Sequence, residues 1–265
     1  MNRCRNKIAF FIPTTIPFLF FFISLLPAIS SSAQKKPASK QQGGLKIHFI
    51  NTVNGLPLVL HDSSYSNPFN EVYTIHKLKY YISNVQVIKK TGGSPLKEKN
   101  SYHLVDAGDT AIAGFRFSLP AGSYTALDFV LGVDSLHNCS GAQTGALDPT
   151  NDMFWTWNSG YVMFKLEGSS ALSNQVSKRI EYHIGGYAGA NNVIKKIRLS
   201  NAFEVLANST TEFFIEADIN KLWQQPNEIK ITEAPVCTTP GALAKKIADN
   251  YSKMFSFKKS IVSKD

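Results

Sequence analysis

The stretch of residues 80–87 reads YYISNVQV, and it decides the fold class. It is rich in aromatic and β-branched residues, which favour strands. Its side chains also fall into two sets at alternate positions, Tyr80 with Ile82 and Tyr81 with Val85, as they would on the two faces of a strand. The pair Gly92-Gly93 that follows is typical of a turn. We therefore predict a long β-strand that ends before this turn.

The same two-residue period recurs on both sides of this stretch. It appears in segments that contain, in chain order, Ile47, Tyr102, Phe115, Thr125, Tyr161, Ile180, Val193 and Phe213. Short strands separated by turns rich in Gly, Pro and Asn are typical of sandwiches. We predict an all-β fold, an antiparallel β-sandwich of about eight to ten strands.

One α-helix is predicted near the C-terminus. Thr239-Pro240 resembles a cap followed by proline at the first helical position. Apolar residues then recur at helical spacing, at Leu243, Ile247, Tyr251 and Met254. We expect this helix to close a single domain of residues 45–258, with residues 259–265 as a tail.

The N-terminal residues predict export. Residues 1–33 begin with basic residues, continue with an apolar run and end with small residues. This order is that of a secretory signal peptide, with cleavage after Ala33 and a periplasmic or secreted product. An uncleaved membrane anchor is the alternative, since the run is long enough to span a bilayer; the prolines within the run favour cleavage. Residues 34–44 have the composition of a flexible leader.

Charge and cysteine content narrow the function classes. The net charge is +9, but the Lys and Arg residues after the signal are scattered, which argues against nucleic-acid binding. No later segment is apolar enough for a transmembrane helix. Cys139 and Cys237 remain after cleavage. In an oxidising compartment they could form a disulfide or stay as two free thiols, and their spacing leaves both possibilities open.

Residues 132–186 differ from the rest of the chain. Their first part has no hydrophobic period and is rich in Gly, Asn, Asp and Ser, and it ends in the sequence MFWTW at 153–157. Loops this long within a compact domain are uncommon and are often functional. We therefore place the candidate site in this region.

Blocks of this sequence resemble the MbnP-like family of exported copper-binding proteins over residues 45–255. The matching blocks are KYYIS (79–83), YHLVD (102–106), PAGSY (120–124), GVDS (132–135), GAQTGALDP (141–149), MFWTW (153–157) with GY (160–161), and YHIGG (182–186). The resemblance implies a β-rich protein linked to copper handling. It also implies that a partner dihaem peroxidase-type enzyme oxidises one tryptophan to kynurenine.

Carried over by residue, the resemblance implies that Trp155 or Trp157 is the modified position and that His183 or His103 provides a nearby imidazole. Many relatives have a His shortly after the first-strand Phe, where this chain has Asn51. His48 lies three positions earlier and would point to the other side of that strand. Imidazole suits copper, and a thioether such as that of Met153 suits Cu(I).

Other interpretations of these residues remain open. Trp155, Trp157 and Tyr161 could form an exposed stacking platform for a carbohydrate or a protein, or the tryptophans could pack in the core of a structural domain. The histidines could equally be structural or face solvent, with a turn role for His137. The aspartates of the loop favour turn capping over Ca²⁺ binding; they are Asp134, Asp148 and Asp152.

The sequence contains no nucleophile elbow and no phosphate-binding loop. Glu167 and Glu181 could face each other on adjacent strands, which β-hairpins often show without catalysis. We therefore expect a non-catalytic protein.

Overall fold

The computed structural model describes residues 41–109, 114–156 and 160–264. The predictions for the signal peptide, for most of the leader and for Trp157 lie outside the described residues. The side chain of Thr156 is also outside this description.

The described residues form sixteen strands and two α-helices. The strands are β1 (Gln42–Val53), β2 (Leu56–Pro57), β3 (Ser64–Ser66), β4 (Val72–Lys89), β5 (Leu96–Lys97), β6 (Tyr102–Asp106), β7 (Gly114–Pro120), β8 (Gly122–Leu131), β9 (Phe154–Thr156), β10 (Gly160–Ser169), β11 (Arg179–Gly185), β12 (Lys195–Leu199), β13 (Phe203–Val205), β14 (Ser209–Asp218), β15 (Val236–Cys237) and β16 (Phe255–Lys264). The helices are α1 (Ser135–Cys139) and α2 (Ala242–Tyr251).

The strands form two curled sheets, which confirms the sandwich-like all-β fold. In the five-stranded sheet the order is β16-β14-β1-β2, and β7 also pairs with β1. The eleven-stranded sheet is built on the order β12-β8-β4-β10-β11-β15. Both sheets are mixed rather than antiparallel throughout, because β1 runs parallel to β14 and β11 runs parallel to β15. Local periodicity reports which face of a strand is buried but not which strand it pairs with.

Aromatic side chains join the two sheets. Phe49 on β1 meets Tyr80 on β4 and Phe129 on β8 edge to face, with ring centroids 6.1 and 5.8 Å apart. Phe255, at the start of β16, contacts the same cluster. Edge-to-face pairs of this kind add to the stabilisation from burial. The predicted strand of residues 80–87 is thus the central part of β4, and it lies in the core of the protein.

The C-terminal helix is present, but it does not end the chain. Helix α2 begins after Gly241 and buries one face that includes Ile247 and Tyr251. The following strand β16 pairs antiparallel with β14 as far as Lys264, so residues 259–264 are part of a sheet rather than of a tail. The sequence of β16 lacks clear alternation because most of this edge strand is exposed. None of the described helices is long and apolar enough to cross a membrane.

Candidate functional site

The loop between β8 and β9 is held by a buried asparagine. Asn138 on α1 donates through Nδ2 to the carbonyls of Val133 (2.6 Å) and Asp134 (2.9 Å). Its Oδ1 accepts from the backbone N–H of Tyr161 at 2.9 Å. A side chain at Gly160 would collide with this amide, because its Cβ would lie 2.3 Å from Oδ1. The loop is therefore fastened to the start of β10.

Tyr161 is fully buried rather than exposed. Its hydroxyl donates to the carbonyl of Leu147 at 2.7 Å, and its ring meets Tyr81 and Phe154 edge to face. Burial raises the pKa of this phenol, which therefore stays protonated. The hydroxyl of Tyr161 thus holds the loop through Leu147. Because its ring is buried, Tyr161 cannot form part of an exposed aromatic platform.

Lysine side chains fasten the end of the loop to the outer face of the larger sheet. The buried Lys165 and the half-exposed Lys77 place their Nζ atoms 2.9 and 3.0 Å from Asp152 Oδ2. Lys79 donates to the carbonyl of Asn151 at 3.3 Å. Burial raises the pKa of the Asp152 carboxyl, but the hydrogen bonds and charges of the two lysines outweigh it and the pKa is lowered. We call this group of Lys77, Lys79, Lys165 and Asp152 the lysine clamp.

Asp152 of the lysine clamp lies two residues before β9, the strand that carries Trp155. The indole is half-buried on β9 and lies against Gly185 at the end of β11. A Cβ at Gly185 would lie 2.5 Å from Trp155 Cζ3, so the ring occupies the space of the missing side chain. Gly185 is therefore part of the seat for this indole.

His183 lies two residues before Gly185, and alternate residues of a strand share a face. The imidazole and the indole are therefore on the same, outer face of β11. His183 Nε2 lies 2.9 Å from Glu167 Oε1 and 3.7 Å from Glu181 Oε1. Burial raises the pKa of the Glu167 carboxyl, but the hydrogen bond from His183 and the charge of Lys77 lower it further than burial raises it. Glu167 and Glu181 pair across β10 and β11, as predicted.

The other predicted ligands are not brought to this place. His103 Nε2 lies 2.9 Å from Glu98 Oε2, and its ring stacks on Phe115. His48 lies in the smaller sheet, where its ring stacks on Phe214. Its Nε2 lies 2.8 Å from Glu212 Oε2. Met153 is fully buried.

Asn51, at the position where the family resemblance led us to expect a histidine, already has a hydrogen-bond partner. Its Oδ1 accepts a hydrogen bond from the hydroxyl of Tyr80 at 2.9 Å. The Asn51 amide thus accepts the hydrogen bond of a buried tyrosine hydroxyl in the core, which gives Asn51 a structural role in this chain.

The loop residues that were assigned to turns have mostly that role. Asp134 caps α1 by accepting from the backbone N–H of His137, and Asp148 accepts from the backbone N–H of Thr150 in the same way. His137 is more than a turn residue, because its Nδ1 also lies 2.7 Å from the hydroxyl of Tyr102. Burial raises the pKa of Asp134, but the bonds from Tyr102 and His137 outweigh it and lower the pKa to about 2.

Cys139 is exposed and Cys237 is buried, and neither forms a disulfide. Burial raises the pKa of the Cys237 thiol. The open question from the sequence is thus answered in favour of two thiols. Within the described ranges, no group of three or more His, Cys, Asp or Glu side chains is arranged to hold a metal ion.

The sequence matches the model of the MbnP family over residues 42–239, which is well over half of the chain. The chain therefore belongs to the MbnP family. A structural comparison gives MbnP from Methylosinus trichosporium with a TM-score of 0.51 and 12% identity, covering 84% of this chain and 99% of that one. At this identity the MbnP structure supports the fold alone. A search of curated proteins gave no match.

Sequence reasoning named Trp155 and His183 of this MbnP family member, which the fold places on one face of β11, but it did not predict the lysine clamp. Lys165 lies in a segment that was predicted as a strand, whereas Lys77 and Lys79 precede the predicted strand of residues 80–87, and Asp152 was noted only as a turn residue. The three lysines and Asp152 come together only because the loop folds back over the sheet. The observable signal was the outward position of Lys77 and Lys79 on a strand whose other face is apolar.

Proposed function

We propose that this protein is an exported, non-catalytic copper-associated binding protein. The observation that supports this proposal is the common face of β11, on which the indole of Trp155 lies against Gly185 and the imidazole of His183 lies two residues away. Membership of the MbnP family and the signal-like N-terminus are consistent with it. Copper is the cargo in this proposal.

The residues on this face fit a copper ion in part. The imidazole of His183 is a suitable donor, and binding would exchange its present contact with Glu167 for the ion. Glu167 and Glu181 contact this imidazole, but the three side chains are not arranged to hold an ion together, and carboxylate oxygens suit Cu²⁺ better than Cu⁺. Met153 is excluded as a surface ligand because it is fully buried. The unmodified chain thus offers an incomplete donor set for Cu⁺.

Oxidation of Trp155 would supply a further donor. In the proposed modification the C2–C3 bond of the indole breaks, the C2 carbon leaves as formate, and an aromatic amine is released. This cleavage is a four-electron oxidation to a ketone at C3 and a formyl group on the amine: two molecules of peroxide would supply the two oxygen atoms and be reduced to water through a dihaem peroxidase-type partner enzyme, and a further water would hydrolyse the formyl group. The half-buried ring of Trp155, in the described part of the chain, is accessible from one side for this reaction.

Copper titration of the exported protein tests the proposal. Protein purified from its native host is titrated with Cu⁺ against a chromogenic chelator, and its tryptophan peptides are examined by mass spectrometry. His183→Gln and Trp155→Phe should each weaken copper binding by roughly tenfold or more, because each removes one donor.

His48→Gln is the matched control, since His48 lies in the other sheet and contacts a carboxylate as His183 does. This variant should bind copper like the wild type. The proposed function would be refuted if His183→Gln bound copper with wild-type affinity. It would also be refuted if the wild-type protein did not bind copper, whether or not its tryptophan is modified.

A further inference from the structure

Two exposed histidines form a pair on the outer face of the larger sheet. His61, in the turn after β2, and His76, on β4, have ring planes 6° apart and centroids separated by 5.3 Å. The backbone N–H of His61 donates to the carbonyl of Ile75 at 2.8 Å, so the turn is fixed against β4 beside His76. The two imidazoles are therefore held as neighbours by the backbone.

A β-bulge presents His76 on this face. The pairing of β10 with β4 shifts between Glu167 and Gly168, which pair with Lys77 and Ile75, so that His76 is the extra residue. Bulges re-aim side chains and are common near functional sites. Gly168 permits the bulge, because a Cβ there would lie 2.0 Å from the carbonyl oxygen of Thr74.

The pair differs from the other histidines in its partners. The chain has six histidines. Four of them lie within 3.0 Å of a carboxylate oxygen, namely His48, His103, His137 and His183. For His61 and His76, the described part of the chain shows no such contact. Their imidazoles do not have to leave a carboxylate in order to bind a ligand.

A hydroxyl network orients His76. Its Nε2 lies 3.0 Å from Thr74 Oγ1, which in turn lies 2.8 Å from Ser169 Oγ. Metal-bound histidines usually have their other ring nitrogen held by such an outer partner, which fixes the tautomer and the ring orientation. With Nε2 directed at Thr74, Nδ1 of His76 is the nitrogen available to an ion.

We propose that His61 and His76 form a surface site for a divalent cation of the copper and zinc class, completed by water, for which the exposed ring of His61 turns out of the stacked arrangement so that one nitrogen of each ring faces the ion. Imidazole nitrogens suit these ions, whereas Mg²⁺ and Ca²⁺ require oxygen ligands. The site shares no residue with the proposed copper site at Trp155 and His183. The site has two protein ligands. It is therefore compatible with the finding that the described ranges contain no group of three or more side chains arranged to hold a metal ion.

Titration with Cu²⁺ in the presence of glycine as a weak competitor tests this site, with electron paramagnetic resonance to count the bound nitrogens. The wild type should show two imidazole nitrogens on one Cu²⁺ ion. His61→Gln and His76→Gln should each lose one nitrogen and roughly tenfold or more in affinity. Thr74→Val, which removes the outer partner, should weaken binding less while keeping both nitrogens.

His48→Gln serves as the control and should leave this two-nitrogen Cu²⁺ signal unchanged, whereas Trp155→Phe should alter only the copper bound at the Trp155 and His183 site. Because Trp155→Phe affects only the site under the proposed function, failure of one site is distinguishable from failure of the other. Unchanged binding in His61→Gln, or a signal from backbone nitrogens at the chain terminus alone, would overturn the proposal. Retained circular dichroism spectra would show that the variants are folded.

Discussion

Gly185 has no side chain at the point where the ring of Trp155 crosses β11. The position needs glycine for space rather than for backbone freedom, since an added Cβ would overlap the indole at 2.5 Å. The neighbouring His183 keeps its own contacts with Glu167 and Glu181. The position of the Trp155 indole therefore depends on the lack of a Cβ atom at residue 185.

We predict that Gly185→Ala displaces the indole of Trp155. Insertion of a methyl group into an occupied space typically costs about 1–3 kcal/mol in the free energy of unfolding. Urea denaturation would measure this loss, and the tryptophan emission should shift towards longer wavelength as the ring becomes more exposed. Gly108→Ala is the control, because a Cβ there meets only the ends of the Asp106 and Leu60 side chains, at 3.3 and 4.0 Å. An unchanged emission spectrum in Gly185→Ala would contradict the contact between the Trp155 indole and Gly185.

Glu71 is a buried carboxylate that ties two distant segments together. It accepts from Asn67 Nδ2 at 2.7 Å, from the backbone N–H groups of Ile231 (2.7 Å) and Thr232 (2.9 Å), and from the Thr232 hydroxyl. Burial raises the pKa of this carboxyl, but the donated hydrogen bonds together outweigh it and lower the pKa below the usual 4.5. The ionised form is therefore the one that stabilises the fold.

This lowered pKa has a defined consequence for stability against pH. The contribution of Glu71 is fully present above the unfolded pKa of 4.5 and is lost as the pH falls through the lower folded value. Glu71→Gln should cost about 1.5–3 kcal/mol at neutral pH, because the variant loses charge-assisted bonds. The difference from the wild type should shrink in acid. Glu204→Gln, at an exposed position, is the control; a difference that stays constant with pH would argue against this role.

At the scale of elements, the loop between β8 and β9 is held by polar contacts rather than by its own secondary structure. Asn138 and Tyr161 fasten its first part, and the lysine clamp fastens its end. The clamp is partly exposed at Asp152, so its ion pairs contribute less than buried pairs would. Its main effect is to position the strand that carries Trp155.

Lys165→Met tests the clamp, since methionine keeps the length of the side chain but removes the charge. We expect a loss of about 1–2 kcal/mol in unfolding free energy. Hydrogen exchange followed by mass spectrometry should show faster exchange of the amides in residues 145–153. Lys196→Met, on an exposed position of β12, should leave this exchange unchanged. Equal protection of the loop in both variants would exclude the clamp as its anchor.

Sequence patterns predicted the elements whose own residues alternate, and missed those that depend on distant partners. The strand predicted at 80–87 and the outward face of His183 are both present, because period-two burial is a local property. The parallel pairing of β1 with β14 and the seat of Trp155 on Gly185 are not local. Helix α1 has only five residues, too few for a periodic signal.

For the whole molecule, the joint between the two sheets extends into the last strand. Phe255 meets Phe49 of the smaller sheet and Phe129 of the larger one, with centroids 6.2 and 5.3 Å apart. From residue 258 onward, β16 is exposed and carries Lys258, Lys259 and Lys264. Lysines on an edge strand oppose the addition of a strand from another chain. The start of β16 thus belongs to the core, and its end protects an edge.

Two truncations separate these roles. A chain ending at residue 258 keeps Phe255 and Phe257 but removes the partners of Ser209–Phe214 on β14. It should lose modest stability and associate through the exposed edge in size-exclusion chromatography. A chain ending at residue 254 also removes Phe255, which is only 8% exposed, and should lose about 3–5 kcal/mol more in urea denaturation. Equal stability of the two truncated chains would mean that Phe255 does not join the sheets, and a monomeric shorter chain would mean that the edge needs no protection.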